Sequence, residues 1–129
     1  MAIRSYEDLT VWQKAMDLVE RIYHTTESFP KKEQYRLVDQ LSRAAVSVPS
    51  NIAEGSMRHT TKEFIRFVGV SQGSLAEVET QLIIAYRLRY IDKDNFSSTI
   101  GLAREVGKML NALNQALEKK LQGITSHQH

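Results

Sequence analysis

Two short basic clusters hold the residues best suited to chemistry in this 129-residue chain. Arg58, Lys62 and Arg66 follow four-residue steps, so a helix that includes all three sets them on one edge. Tyr86, Arg87, Arg89 and Tyr90 interleave aromatic and basic groups near the end of a later helical pattern. Guanidinium and ammonium groups neutralise phosphates, and aromatic rings among them stack on bases. The chemistry on offer is binding of RNA or DNA by charge. The rim of a helical bundle carries the same residue types, where long side chains cover apolar surface.

No other set of residues forms a catalytic constellation. Ser47, Ser50, Ser71 and Ser74 have no His or Asp beside them to activate a nucleophile. Glu77 and Glu79 stand two apart and do not share a helix face. His24, His59, His127 and His129 are scattered, without the spacing that places two ligands on one interior face. There is no cysteine, which excludes disulfides, thiolate nucleophiles and cysteine metal sites. Gly69 and Gly73 lie four apart inside a helical pattern and are expected to pack against another helix rather than cradle a phosphate. No catalytic residue, cofactor or metal is expected, and the chain is not expected to be an enzyme.

Composition agrees with one soluble domain: 42% hydrophobic and 25% charged residues. No apolar run approaches the ~20 residues of a membrane span, so no membrane partner is expected. The N-terminus MAIRSYEDLT lacks the apolar segment of a signal peptide, and a cytoplasmic location is expected. Net charge is only +2, but it is unevenly spread. Residues 1–30 and 67–80 are each net −2, while 31–66 and 81–129 are each net +3. A positive face built from the second helix, the start of the third and the third connection would follow.

The elements that position these residues read as helices almost throughout. Leu9, Trp12, Met16, Val19, Tyr23 and Thr26 form a first stripe, with Leu18 and Ile22 as a second apolar line beside it. Ser28-Phe29-Pro30 ends that helix. The second is expected over Lys31–Glu54, with Val38, Leu41, Ala45, Val48 and Ile52 inward and Gly55 as its stop. The third is expected over Thr61–Tyr90, with Thr60 and Glu63 at capping-box spacing. The fourth is expected over Asn95–Leu121 behind an Asp94 cap, with a flexible polar tail over 123–129. Apolar residues exceed what one core needs, which points to a subunit interface with Trp12 as a core or interface anchor.

The stretch from Arg43 to Gly55, RAAVSVPSNIAEG, keeps a helical period through Pro49. Proline inside a helix removes a hydrogen bond and clashes with the preceding turn, costing about 3 kcal/mol. A bend at Pro49 is expected, with Ser47, Ser50 and Asn51 placed to satisfy the freed carbonyl. Glu54 is expected to pair with Arg58 or with Arg43.

This stretch resembles the signature of a bacterial family, the 23S rRNA-intervening-sequence proteins. Leu9–Ala15, Phe29–Glu33 and Gly73–Glu79 match in order and spacing, so the resemblance spans residues 6 to about 120. The accessory protein of diversity-generating retroelements looks like a more distant relative. The resemblance implies an antiparallel up-down four-helix bundle, here residues 1–122, that assembles into a homopentamer and associates with nucleic acid. It marks Arg43, Pro49, Ser50, Asn51, Glu54 and Gly55 as the structural motif. The functional reading is a non-enzymatic homo-oligomeric scaffold that binds RNA or DNA through Arg58, Lys62, Arg66, Arg87 and Arg89. The alternative is a scaffold for a protein partner with no nucleic-acid role.

Overall fold

Pro49 lies inside a helix, as the unbroken period around it requires. The computed structural model describes residues 5–127, with side chains through residue 123. A 3-10 turn at Tyr6–Asp8 leads into α1 (Thr10–Thr25), and two more at Thr26–Ser28 and Lys31–Glu33 lead to α2 (Leu37–Ser56). Then come α3 (Thr61–Arg87) and α4 (Lys93–His127), and no strand occurs among the described residues. The fold is an all-α four-helix bundle in which α1 packs on α2 and α4, and α3 packs on α2 and α4. Side-chain pairs across each seam run in opposite chain order. Ser47 meets Ser74 and Gly55 faces Phe67; Glu79 meets Arg104 and Tyr86 meets Phe96; Lys14 meets Glu105 and Thr25 meets Asn95. Antiparallel neighbours joined by short connections give this order.

The core agrees with the inward residues expected of α2, and α3 and α4 each bury an apolar stripe against it. Leu41, Val48 and Ile52 face Val68, Val78 and Leu82, with Val106 and Leu110 completing the layers, all fully buried. In α1 only one of the two expected apolar lines is fully buried. Val11, Ala15, Leu18, Ile22 and Thr25 are buried, while Met16 and Tyr23 are exposed and Trp12 and Val19 half-buried. Both stripes are apolar and adjacent, so periodicity alone does not decide which faces inward.

Several boundaries also differ from expectation. The residues before Leu37 do not join α2, because Arg36 adopts φ −122° and ψ −102°, outside the helical region. Thr60 caps α3 as expected, its Oγ1 accepting from the Glu63 N–H at 3.1 Å. The Glu63 carboxylate meets Arg66 rather than completing the reciprocal half of a capping box. Asp92, not Asp94, caps α4, accepting from the Asn95 N–H at 2.7 Å. The backbone of α4 continues past Leu121 to His127, so the expected tail begins in helix; residues 128–129 lie outside the described range.

The glycines exchange their expected roles. Gly55 is not a left-handed stop: α2 runs through it, and no glycine among the described residues has positive φ. A Cβ there would lie 2.7 Å from Phe67 Cβ and 2.9 Å from Phe64 Cδ1, so it is the close approach of α2 to α3 that requires glycine. Gly69 and Gly73, expected at such a crossing, are exposed, and a Cβ on either would meet nothing within 4 Å.

Gly55→Ala should therefore destabilise the protein by about 1–3 kcal/mol through overpacking. Gly101→Ala, on the open face of α4, should stabilise it by about 0.5–1 kcal/mol. Urea unfolding of both variants beside the parent checks the pair, and equal effects would refute the packing assignment.

Candidate nucleic-acid interface

The first basic cluster does not form one helix edge. Arg58 lies in the connection after α2, and only Lys62 and Arg66 stand on α3. Arg58 and Arg66 nevertheless converge, because both guanidinium groups lie over the Phe67 ring, 4.8 and 4.5 Å from its centroid. Phe67 is the residue that Gly55 admits, so the close helix approach also builds this corner. Each arginine already has a carboxylate partner. Arg58 meets Glu54 at 2.6 Å, the pairing expected for Glu54, and Arg66 meets Glu63 at 3.1 Å. Lys62 is exposed, with no ion pair among the described residues.

The second cluster sits at the opposite end of α3. There the helix ends in a Schellman turn: the Tyr90 N–H donates to the Ala85 carbonyl at 2.9 Å and the Arg89 N–H to the Tyr86 carbonyl at 3.0 Å. This turn puts Arg89 at φ 63°, the sole positive-φ non-glycine among the described residues. Glycine is the usual occupant, since a Cβ in the left-handed region costs about 1–2 kcal/mol. Arg87 and Arg89 line an open cleft of about 490 Å³, with Ser28, Tyr90 and Asn95 on its other walls. Neither arginine has an ion pair among the described residues.

The tyrosines here are less available than their spacing implies. Tyr86 stacks on Phe96 with ring centroids 4.3 Å apart and planes 11° apart. Tyr90 packs against Phe29, and its hydroxyl donates to Glu33 at 2.8 Å. That bond to the Glu33 carboxylate favours the neutral phenol and raises its pKa above 10.0, with burial and the Glu33 charge acting in the same direction. Ser28 Oγ donates to the Tyr90 carbonyl at 2.9 Å. These two bonds tie the α1–α2 connection to the α3–α4 connection. They bring exposed Lys31, Lys32 and Arg36 to the end that holds Arg87, Arg89 and Lys93. The first three are cations that sequence reasoning did not place at the site, although the net +3 of residues 31–66 was their signal. The carboxylates at this end are held locally: Glu27 lies 3.7 Å from His24, Glu33 accepts from Tyr90 and Asp92 caps α4.

The motif residues serve the framework. The Arg43 Nε–H donates to both Asp39 carboxylate oxygens at 3.1 Å, one turn away, and not to Glu54. Asn51 Nδ2 donates to the Ser47 carbonyl and Oγ at 2.8 and 2.9 Å, while Ser50 is exposed. These bonds do not reach the Ala45 carbonyl, the one Pro49 frees. No group of three His, Asp or Glu side chains among the described residues is placed to hold a metal ion. No helix of the described chain is long and apolar enough to cross a membrane.

The family model of the 23S rRNA-intervening sequence proteins matches residues 7–112. A crystal structure of a protein of unknown function from the S23 ribosomal protein family of Bacteroides thetaiotaomicron is similar in fold. Its TM-score is 0.76 at 21% identity, and the match covers 81% of this chain and 98% of that one. No curated protein matches the sequence.

The Tyr90–Glu33 bond gives the basic end a pH dependence. A pKa raised by folding contributes stability that is complete below the unfolded value near 10 and is lost as pH rises through the folded value. Thermal unfolding between pH 8 and 11 should show this loss in the parent. Tyr90→Phe should lack that portion, and an identical pH profile in both would refute the assignment.

Proposed function

The chain belongs to the 23S rRNA-intervening sequence protein family, and we propose that it is a non-enzymatic homo-oligomeric scaffold, cytoplasmic and most simply pentameric, whose basic end binds RNA or DNA through phosphate. The observation that carries this reading is the strained, unpaired Arg89 beside unpaired Arg87 at the rim of an open cleft. Backbone strain held by surrounding structure tends to mark functional positions. Glycine would fit this turn without strain, so an arginine here points to a use for its side chain.

The contact is placed at this end because Arg58 and Arg66 are neutralised by Glu54 and Glu63. Lys31, Lys32, Arg36 and Lys93 extend the positive surface. Tyr86 and Tyr90 are committed to Phe96 and Glu33, so base stacking contributes little and the interaction is sequence-independent. Several copies in one assembly multiply a weak patch by raising its effective concentration. The surplus apolar surface on α1 and α2 supports assembly and also supports the rival reading of a scaffold for another protein.

Titration of single-stranded and duplex RNA and DNA at two salt concentrations tests the reading. Affinity should fall steeply with salt, and Arg87→Ala with Arg89→Ala should flatten the log–log slope by roughly one unit per lost phosphate contact. Compared at equal oligomer mass, the Arg58, Lys62 and Arg66 triple alanine variant should bind closer to the parent. Arg89→Gly should weaken binding like Arg89→Ala while raising stability by about 0.5–1 kcal/mol, because glycine relieves the left-handed strain. No binding by the parent at low salt would leave the protein scaffold as the better reading.

A further inference from the structure

The fold leaves uncovered an apolar groove between α1 and α2. Trp12, Met16 and Val19 form one wall, Val46 and Pro49 the other, and Tyr6 closes one end, around about 340 Å³. Tyr6 meets Trp12 edge-on with ring centroids 5.3 Å apart, so the wall is preformed. Met16 is 38% and Val46 41% exposed, an unusual amount of apolar surface to leave in water side by side. The rim is acidic. Exposed Glu7 and Asp8 follow Tyr6, and exposed Glu20 lies one turn beyond Met16. None of these three carboxylates has an ion pair among the described residues.

The corner of the bundle diagonal to α1 carries a surface of complementary shape, with the unpaired cation Lys62 toward one end. Gly69, Gly73, Ala76 and Thr80 are all exposed along the outward face of α3. Glycine inside a helix is destabilising relative to alanine, and nothing within one chain requires it at Gly69 or Gly73. The result is a narrow ridge of nearly bare backbone, edged by Val70 and Ile84, which are 43% and 41% exposed, and by exposed Glu77 one turn past Gly73. Toward its start the face carries Lys62 and Arg66.

We propose that the α3 ridge of a second copy of this chain docks in the α1–α2 groove, with Gly73 over Met16 and Val46 and the Lys62–Arg66 end beside Glu7 and Asp8. This rests on the oligomeric reading above and names the two surfaces that make the contact. The bare ridge lets backbone approach the aromatic wall, and Lys62, which has no ion pair among the described residues, meets carboxylates that lack partners. Groove and ridge are different surfaces, so every copy uses one of each. The contact is heterologous and either closes into a ring or runs on as a filament. The ridge extends past the groove at its other end, so Arg87 and Arg89 stay outside the contact.

The absence of cysteine makes the contact directly testable. Met16→Cys and Gly73→Cys are made separately, then mixed and oxidised with copper–phenanthroline, while sedimentation gives the parent's mass. Val46→Cys with Gly73→Cys supplies a second geometry. A disulfide forms only where Cα atoms come within about 7 Å. Neither single variant should cross-link to itself, each mixture should give a covalent dimer, and the Met16→Cys/Gly73→Cys double variant should give a ladder reaching the parent's mass. Gly73→Trp should keep the parent's helix content, since nothing in its own chain opposes the side chain, and weaken self-association at least 100-fold. An oligomeric parent that gives only like-to-like cross-links or none, or that tolerates Gly73→Trp, overturns this contact and leaves the oligomeric reading standing. A parent that sediments as a monomer at micromolar concentration overturns both.

Discussion

The side-chain bonds that fix α3 against α2 gather beside Pro49, in the middle of α2. Buried Ser71 donates its hydroxyl to the Val48 carbonyl at 2.9 Å. Ser47 and Ser74 share a bond at 2.8 Å, and Asn51 braces Ser47 from one turn further on. A buried hydroxyl without a partner is costly, so these bonds select one register of α3 against α2. The Gly55–Phe67 approach selects the same register by shape, since only glycine admits the phenyl ring. Polar pairing and steric fit thus agree at three successive turns, and a shifted α3 would break them together.

That register decides where the surface charges go. It brings Phe67 to the end of α2, where Arg58 and Arg66 gather on its ring. It also sets how far α3 runs in the other direction before its left-handed stop at Arg89. The α1–α4 seam has its own fixed point, the buried Thr25 and Thr99 hydroxyls around Asn95. Those residues lie just inside the two connections that Ser28, Glu33 and Tyr90 tie together. The basic end is therefore anchored on three elements, which is why a strained residue persists there instead of relaxing.

The helices and the core of α2 were legible in the sequence because the apolar residues of α2 form one dominant stripe. In α1 two stripes compete, and the pattern cannot rank them: Leu18 and Met16 are equally apolar, yet one is wholly buried and the other is not. Which line turns inward depends on the space left by the other three helices. Glycine was misread for a similar reason. Its pattern says that a side chain is missing, but only three-dimensional neighbours say whether room is short, as at Gly55, or plentiful, as at Gly73.

The candidate site was half legible. Spacing found the arginines, but it could not find which already had partners, because Glu54 and Glu63 act through rotamers and helix ends rather than through pattern. Nor could it find Lys31, Lys32 and Arg36, which reach the site only because antiparallel helices return their connections to one end. The same argument separates the two outward surfaces. On the basic end, cations outnumber the carboxylates left to answer them, and the unpaired charge faces solvent. Along the α1–α2 groove, carboxylates stand unpaired beside exposed apolar side chains. A surface that keeps free charge suits a polyanion, whose counterions are released on contact. A surface that joins free charge to bare hydrocarbon suits a folded partner, which covers both at once. The two functions can therefore coexist on one small bundle, because the register of its helices keeps them apart.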